Sequence, residues 1–294
     1  MNASSVTTRP WSSFAIVGFA YVIAHVAAQA VVQATAGLHP LVVVAIADVA
    51  ATITVFVFSR SFNNTSVYDP YWSVAPASIA CWLALGPGSG AGLTLRQGMV
   101  LTLVAIYAVR LTFNWARGWP GLSHEDWRYV EVRHKTGKLY WPASFFGLHL
   151  MPTVMVYLGV LPLHAALVTN PEGFGVLDVV AALVTLGAIV IESVADEQLR
   201  TFRRGKQEDG AICTVGLWKW SRHPNYFGEI SFWGGLLLFG IAAGAPWWSA
   251  IGLVAMVGLF VGASIPLAEK RSLRRRPHYA EHQRRTSMLI PWPP

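Results

Sequence analysis

The chain has 294 residues, of which 54% are hydrophobic and only 13% are charged, about half the charged share that is usual in soluble domains. This composition excludes an ordinary soluble enzyme, a disordered chain and a disulfide scaffold. Mean hydropathy is +0.45 and the apolar residues form long runs, so the sequence predicts an all-α polytopic membrane protein. The net charge of +7 then raises the question of which membrane face carries the bases.

Eight apolar segments follow one another along the chain, and each can satisfy its own backbone hydrogen bonds as a helix in a bilayer. In chain order they are residues 14–36, 41–58, 72–85, 98–116, 145–168, 176–194, 230–243 and 247–267. The third and seventh are the shortest. The runs do not alternate between apolar and polar residues, which disfavours a transmembrane β-barrel.

The Lys and Arg residues are sorted by the gaps between these segments. Twenty of the 22 lie in the N-terminal tail, in the even-numbered gaps or in the C-terminal tail. Arg110 lies inside segment four, and Arg96 is the single base in an odd-numbered gap. The positive-inside rule therefore predicts that both termini and the even-numbered gaps are cytoplasmic.

Segment four carries four polar side chains on one helical face. Tyr107, Arg110, Asn114 and Arg117 are spaced by 3, 4 and 3 residues, which aligns them on a helix. Ionisable groups inside a span are costly and usually mark a cavity or a pathway. The alternative is hydrogen bonding between helices, with Arg117 reaching the membrane surface.

Segment six repeats the pattern with Glu192, Asp196, Arg200 and Arg203, spaced by 4, 4 and 3 residues, and Arg204 follows. The face leads from acids inside the bilayer to bases at its cytoplasmic end. Arginine suits phosphate through paired hydrogen bonds, and carboxylates accept from ribose hydroxyls. The pattern thus favours a ligand with both groups, while the alternative is a ladder of i,i+4 salt bridges.

The densest polar cluster immediately precedes segment seven. Arg222, His223, Asn225, Tyr226 and Glu229 all offer hydrogen bonds there. Seven bases follow the last segment; anchoring to anionic lipid explains their charge but not this cluster. No spacing typical of a metal site occurs, so we expect no metal.

Two acids invite a structural interpretation. Asp69 precedes Pro70, a pair that is typical of the start of a helix, so Asp69 is a candidate cap for segment three. Asp178 stands at the start of segment six, where we expect it to begin the helix near the outer face.

Residues 221–229, Ser-Arg-His-Pro-Asn-Tyr-Phe-Gly-Glu, resemble the C-terminal signature of the steroid 5α-reductase family, and most of all its bacterial membrane homologues. Residues 107–113 resemble the family's Tyr-x-x-Arg-Thr-Phe region, the acids and bases of segment six resemble its Asn…Asp…Arg…Arg helix, and residues 289–292 resemble its Leu-Ile-Pro-Phe ending. The resemblance covers about residues 60–294. It implies one integral membrane domain over 1–294, with N-terminal helices in 14–59, a seven-helix reductase core in 60–294, and an extra first helix, giving seven to eight transmembrane helices.

The resemblance also implies an activity, the NADPH-dependent reduction of the Δ4 C=C bond of 3-oxo-steroids or similar hydrophobic enones. Hydride would reach the β-carbon while a tyrosine–carboxylate pair, Tyr107 and Asp69, polarises the ketone. Substrate would be bound by Tyr68, Trp72 and Trp233. NADPH would be bound by Arg117, Glu192, Asp196, Arg200, Arg203, Arg204, Arg222, His223, Asn225, Tyr226, Glu229, Arg271 and Tyr279.

Two departures from the family pattern bear on these roles. Asp69 stands where the family has Glu, and Glu192 stands where it has Asn. The expected partners are a steroid-like substrate and membrane lipid, with no nucleic acid and no obligate protein partner, and the expected location is the bacterial inner membrane with the cofactor site on the cytoplasmic side.

Two other functions remain open at the level of sequence. Isoprenylcysteine and phospholipid methyltransferases, which use S-adenosylmethionine, share a similar Arg-His-Pro-x-Tyr segment. A small-solute or proton-linked transporter would instead use intramembrane acids such as Glu192 or Asp48.

Overall fold

The architecture was analysed in a computed structural model, which describes residues 10–86, 92–169, 173–206 and 208–292. Helices account for 79% of the structure and the described residues form no strand. An isolated bridge between Ser221 and Ser287 is the nearest approach to a sheet among them. The prediction of an all-α fold is confirmed.

Six helical stretches within the described ranges are long and apolar enough to cross a membrane, by length and composition. They are Trp11–Ala34, Pro40–Ser61, Leu95–Ala116, Trp127–Val160, Val176–Arg204 and Trp247–Arg275. Since a helix needs about 20 apolar residues to span the hydrocarbon, these stretches define an integral membrane protein of polytopic type.

The other two predicted segments are also helical but differ from those six. The third corresponds to the helix Tyr71–Leu85, which has 15 residues and is shorter than a typical span. The seventh corresponds to Pro224–Ala242, whose first turns carry the polar Asn225 and Glu229. All eight apolar segments are therefore helical in the structure.

The structure divides into two compact units. The first contains the described residues of 1–86 and 108–160. Its helices are α1 (Pro10–Ala34), α2 (Pro40–Ser61), α3 (Tyr71–Leu85), the C-terminal part of α4 (Leu95–Ala116), α5 (Trp127–Thr136), α6 (Tyr140–Ser144) and α7 (Met151–Val160).

The fifth apolar segment was predicted with the wrong bounds. The helical stretch begins at Trp127 rather than at 145, because the charged residues of α5 hid a helix from a hydropathy reading. Gly137, at φ 52°, ends α5. A π-helical turn, Phe145–Leu150, then joins α6 to α7, and α7 ends at Val160, earlier than the predicted 168.

The second unit contains the described residues of 87–107 and 161–294. Its helices are the N-terminal part of α4, α8 (Val176–Arg204), α9 (Pro224–Ala242), α10 (Ile251–Leu259), α11 (Ile265–Arg275) and α12 (Tyr279–Arg285). A π-helical turn, Phe260–Ser264, connects α10 to α11.

Helices α8 and α9 pack closely and antiparallel. A Cβ atom on Gly228 would lie 2.9 Å from the carbonyl oxygen of Ala188 and 2.7 Å from Cβ of Glu192. Further along α9, a Cβ atom on Gly235 would lie 2.1 Å from Oγ1 of Thr185. Glycine at these two positions is what lets the backbones approach.

Arg96, the base that departed from the charge sorting, is buried in a salt bridge. Its Nε lies 2.6 Å from Oδ1 of Asp178, and its guanidinium also donates to the carbonyl oxygens of Gly173 and Ala242. Asp178 Oδ2 accepts from the backbone N–H of Gly175. The expectation that Asp178 begins the helix of segment six is confirmed, and the pairing explains how a base is accommodated in an odd-numbered gap.

Candidate functional site

A buried carboxylate with two side-chain donors lies in the second unit. The Tyr107 hydroxyl donates to Glu229 Oε1 over 2.7 Å, and the Trp233 indole Nε1 donates to the same oxygen over 2.9 Å. All three residues are at most 4% exposed. The Tyr107 ring also stacks on Phe232, with centroids 3.7 Å apart.

This arrangement follows from helical spacing. Glu229, Phe232 and Trp233 lie three and four residues apart on α9, so one face of the helix presents all three. Tyr107 lies on α4 and completes the group by a bond across 122 positions of sequence. Because buried polar groups need partners, the two donors fix the orientation of the Glu229 carboxyl.

The acids of segment six face α9. Asp196 Oδ1 accepts from Asn225 Nδ2 at 3.4 Å, and Glu192 is 5% exposed, beside Gly228. Toward the C-terminus of α8, Arg203 and Arg204 are exposed. Exposure therefore increases along α8, from the buried Glu192 through the half-buried Asp196 and Arg200 to the exposed Arg203 and Arg204.

Arg222 has several intramolecular partners. Its Nε donates to Glu269 Oε1 over 2.6 Å, and its Nη1 donates to the carbonyl oxygens of Gln283 and Thr286 over 2.8 and 2.5 Å. Gln283 Nε2 in turn donates to Glu269 Oε2. These bonds fasten the C-terminal segment to the start of α9.

His223 belongs to the same cluster. Its Nε2 lies 3.2 Å from Glu269 Oε1, and its ring stacks on that of Tyr226, with centroids 5.4 Å apart. Burial lowers the pKa of His223 below its ordinary value, while its hydrogen bond to the Glu269 carboxylate opposes the shift. Tyr226 also packs against Phe260.

Three other predicted cofactor residues lie on helices of the second unit. Tyr279 is 4% exposed on α12, with its ring 5.7 Å from that of His282. Arg271 is half-buried on α11, and Arg200 is half-buried on α8.

Glu269 and Phe232 are not among the residues for which the sequence patterns predicted a role. Glu269 had one available signal, since it is an acid within a strongly basic C-terminal region and bases near it needed a counter-charge. Phe232 had none, because an aromatic residue in an apolar helix is unremarkable in sequence.

Asp69 lies in the first unit and accepts a hydrogen bond from the Tyr129 hydroxyl. Burial raises its pKa to about 6, and the Tyr129 bond opposes that shift. The capping interpretation of Asp69 is wrong, since α3 begins at Tyr71 with no side-chain cap hydrogen bond.

Tyr68, Trp72 and Arg117 also belong to the first unit. The Tyr68 hydroxyl lies 2.6 Å from Oγ1 of Thr153, and its ring stacks on Tyr71. Trp72 is half-buried. Arg117 donates through Nε and Nη2 to Asn114 Oδ1 at 3.1 and 2.9 Å, so two members of the polar face of segment four pair with each other.

The two predicted catalytic residues, Tyr107 and Asp69, thus belong to different units. Each forms a tyrosine–carboxylate hydrogen bond within its own unit. Tyr107 pairs with Glu229, and Asp69 pairs with Tyr129. The family resemblance implied a cofactor-binding role for Glu229 and no role for Tyr129.

Comparison with known proteins places the chain in a family. Residues 55–286 match the family model described as "Protein of unknown function (DUF1295)", and the chain belongs to that family. This family is related to steroid 5α-reductase-like membrane proteins.

A relative is an uncharacterized protein of the yeast Schizosaccharomyces pombe, 29% identical over 253 residues, covering 78% of this chain and 73% of the yeast protein. No solved structure matches the chain.

Proposed function

We propose that the protein is an NADPH-dependent reductase of hydrophobic enones, acting on the C=C bond conjugated to a ketone, as in a 3-oxo-Δ4-steroid. The observation that carries the proposal is the buried hydrogen bond between Tyr107 and Glu229, which sits on α9 beside the acid-to-base face of α8. A phenol held against a carboxyl in an apolar setting is suited to polarise a ketone.

The donor set of the second unit fits a dinucleotide phosphate. Arg200, Arg203 and Arg204 would hold phosphates, since guanidinium groups bind them through paired hydrogen bonds. Asp196 and Glu192 would accept from hydroxyl or amide groups deeper along α8. Asn225, Tyr226, Arg271 and Tyr279 supply further polar contacts around the start of α9, and the bound reduced nicotinamide would supply hydride for the β-carbon.

Tyr107 would stabilise the reaction at the ketone oxygen. Negative charge develops on that oxygen as hydride adds to the β-carbon, and a hydroxyl that donates to it lowers the barrier. The Tyr107 proton, which Glu229 Oε1 accepts in the structure, would then be donated to the ketone oxygen. The α-carbon of the resulting enolate then takes a proton from water, which completes the addition of two hydrogens. Trp233 keeps the Glu229 carboxyl in place through the indole bond.

Arg222 and His223 have a different role in this proposal from the one the resemblance implied. Arg222 already donates to Glu269, Gln283 and Thr286, so it acts as a positioning residue that holds the C-terminal segment beside α9. The catalytic role of Asp69 and the cofactor-binding role of Arg117 stay predictions, since the hydrogen bonds of both residues lie within the first unit.

The proposed location is a bacterial inner membrane, with both termini and the dinucleotide site on the cytoplasmic side. Two facts support that orientation, the sorting of the bases and the pairing of the exceptional Arg96 with Asp178.

The test uses the full-length protein in phosphatidylcholine nanodiscs. Binding of NADPH, NADH and S-adenosylmethionine is measured first, and then NADPH oxidation is followed with progesterone as the probe enone. We expect saturable NADPH binding and a product that has gained two hydrogens, identified by mass spectrometry. Binding of S-adenosylmethionine without competition by NADPH would favour the methyltransferase, and affinity for neither cofactor would favour the transporter; either result contradicts the proposal.

A further inference from the structure

The first unit contains a cavity of about 110 Å³ enclosed by α1, α2 and α3. A cavity needs about 10–15 Å³ of volume to hold one water molecule, so this cavity has room for several non-hydrogen atoms. Most of its wall is apolar, with Val32, Val44, Ala47, Ala51, Ile79 and Trp82 among the lining residues. The residues assigned above to substrate or cofactor are not among those that line it.

Asp48 lines this cavity from α2 and is 6% exposed. Its Oδ1 accepts from the Tyr71 hydroxyl over 2.6 Å. Its Oδ2 is buried and has no hydrogen-bond partner among the residues that the structure describes. A buried acceptor without a donor is unfavourable, and more so when the group is charged, so this oxygen is a place where a ligand's donor group would be stabilised.

The two tyrosine hydroxyls on the cavity wall are already engaged as donors. Tyr71 donates to Asp48, and Tyr21 donates to the carbonyl oxygens of Val67 and Tyr68. Neither hydroxyl proton is therefore available to Asp48 Oδ2 without breaking an existing bond.

The α1 side of the cavity is polar and accessible. His25 and Gln29 lie four residues apart on one face of α1, with their side-chain nitrogens 3.4 Å apart, and both line the cavity. His25 and Ser78 are exposed. In a span, such residues favour an opening through which a molecule dissolved in the bilayer enters.

We propose that this cavity binds the polar end of an amphiphile, and that the ligand's ammonium or hydroxyl group donates to Asp48 Oδ2. Its alkyl portion lies against the apolar wall formed by Val44, Ala51 and Ile79. This binding site is independent of the reductase proposal, since it lies wholly within the first unit and uses none of the residues assigned to that reaction.

The test uses the full-length protein in phosphatidylcholine nanodiscs with two photoactivatable probes, a diazirine-bearing dodecylamine and a diazirine-bearing dodecanol. Labelled peptides are mapped by mass spectrometry, with the unlabelled amphiphiles as competitors. We expect saturable labelling in α1, α2 or α3, reduced at least tenfold by Asp48→Leu. Asp126→Asn, an acid-to-amide change at the cap of α5, is the matched control and should label as the wild type does.

Two further variants separate the chemistry from the fold. Ser78→Trp adds a large side chain at an exposed position of the cavity wall on α3 and should reduce labelling by both probes while Asp48 stays intact. Asp48→Asn keeps the shape of the side chain. If this variant loses labelling by the amine probe alone, the ligand is an ammonium. If it keeps labelling by both probes while Asp48→Leu loses it, the ligand is a neutral donor. Both results support the site.

The proposal is overturned if labelling does not saturate. It is also overturned if well-folded Asp48→Leu and Ser78→Trp label as the wild type does. Monodisperse elution and an unchanged thermal midpoint establish folding. If Asp48→Leu does not fold, Ser78→Trp decides, and undiminished labelling in that variant refutes the site.

Discussion

Two buried acids, Glu229 and Asp48, each accept a hydrogen bond from a tyrosine but differ in their surroundings. Glu229 in the second unit accepts from Tyr107 and from Trp233 through one oxygen. Asp48 in the first unit accepts from Tyr71 through one oxygen, while its other oxygen has no donor within the described ranges and the residue lines a cavity.

The difference shows that a tyrosine–acid pair has no fixed role. Around Glu229, the Tyr107 hydroxyl and the Trp233 indole hold the carboxyl in one orientation, as a group that must act on a reacting oxygen should be. Around Asp48, the walls stand apart and leave room for a ligand. The Tyr107–Glu229 pair is preorganised, whereas the Tyr71–Asp48 pair leaves one carboxylate oxygen for a ligand.

The largest expected effect comes from breaking the buried salt bridge between Arg96 and Asp178 in the second unit. Arg96→Met leaves Asp178 buried without its bidentate partner, and removing one member of a buried pair costs about 3–5 kcal/mol. The free energy of unfolding in mixed micelles should fall by that amount. Lys135→Met, which breaks the exposed pair with Glu131, should cost no more than about 0.5 kcal/mol. Equal losses of unfolding free energy in the two variants would show that the buried Arg96–Asp178 salt bridge contributes no more to stability than an exposed ion pair.

Removing one hydroxyl tests the preorganised pair itself. Tyr107→Phe keeps the ring that stacks on Phe232 but loses the donor, so NADPH oxidation with progesterone should fall by about 10²–10³-fold. The dissociation constant for NADPH should stay within threefold. Tyr157→Phe is the control, since its hydroxyl donates to the carbonyl of Leu41. Turnover of Tyr107→Phe at the wild-type rate would exclude Tyr107 as the donor.

The close approach of α8 and α9 is tested by a pair of glycines on the same helix. Gly228→Ala drives a methyl group against the Ala188 carbonyl, and overpacking of this kind costs about 1–3 kcal/mol. Gly234→Ala meets nothing nearer than the Leu253 methyls at 4.0 Å and should gain up to about 1 kcal/mol of helix stability. Unfolding titrations of both variants check the pair, and a stable Gly228→Ala protein would contradict the packing argument.

The smallest effect concerns Asp69, a third acid bonded to a tyrosine. Its pKa in the folded protein is raised to about 6, so its contribution to stability is present at low pH and is lost as the pH rises through 6. Asp69→Asn stays neutral and keeps an acceptor for Tyr129. It should match the wild type near pH 4 and exceed it at pH 8 by on the order of 1 kcal/mol. Unfolding measured at both pH values checks this, and a gain independent of pH would refute it.

Much of the fold was predictable because hydropathy acts locally. Each apolar run forms a helix wherever it meets the bilayer, and the place of Asp178 in the first turn of α8 followed from a local pattern. The bounds of the fifth segment did not, since the helix from Trp127 carries charges that a hydropathy reading assigns to a loop. The π-helical turns at Phe145–Leu150 and Phe260–Ser264 have no signal in composition.

The candidate site was predictable only in part. Helical phase correctly aligned the acids and bases of α8, and the cluster before α9 was visible as a run of polar residues. Which tyrosine meets which carboxyl was not visible, because such pairs join positions 122 and 60 residues apart. The engagement of Arg222 by Glu269 and the C-terminal carbonyls was hidden for the same reason.

The sequence by itself determined that the protein is helical and lies in a membrane, because few charges and long apolar runs leave no other way to satisfy the backbone. The tertiary structure decided what the scarce polar groups do. It paired Arg96 with Asp178, gave Glu229 two donors, and left Asp48 beside a cavity. In an apolar interior each polar group depends on a specific partner, and only the folded chain brings those partners within bonding distance.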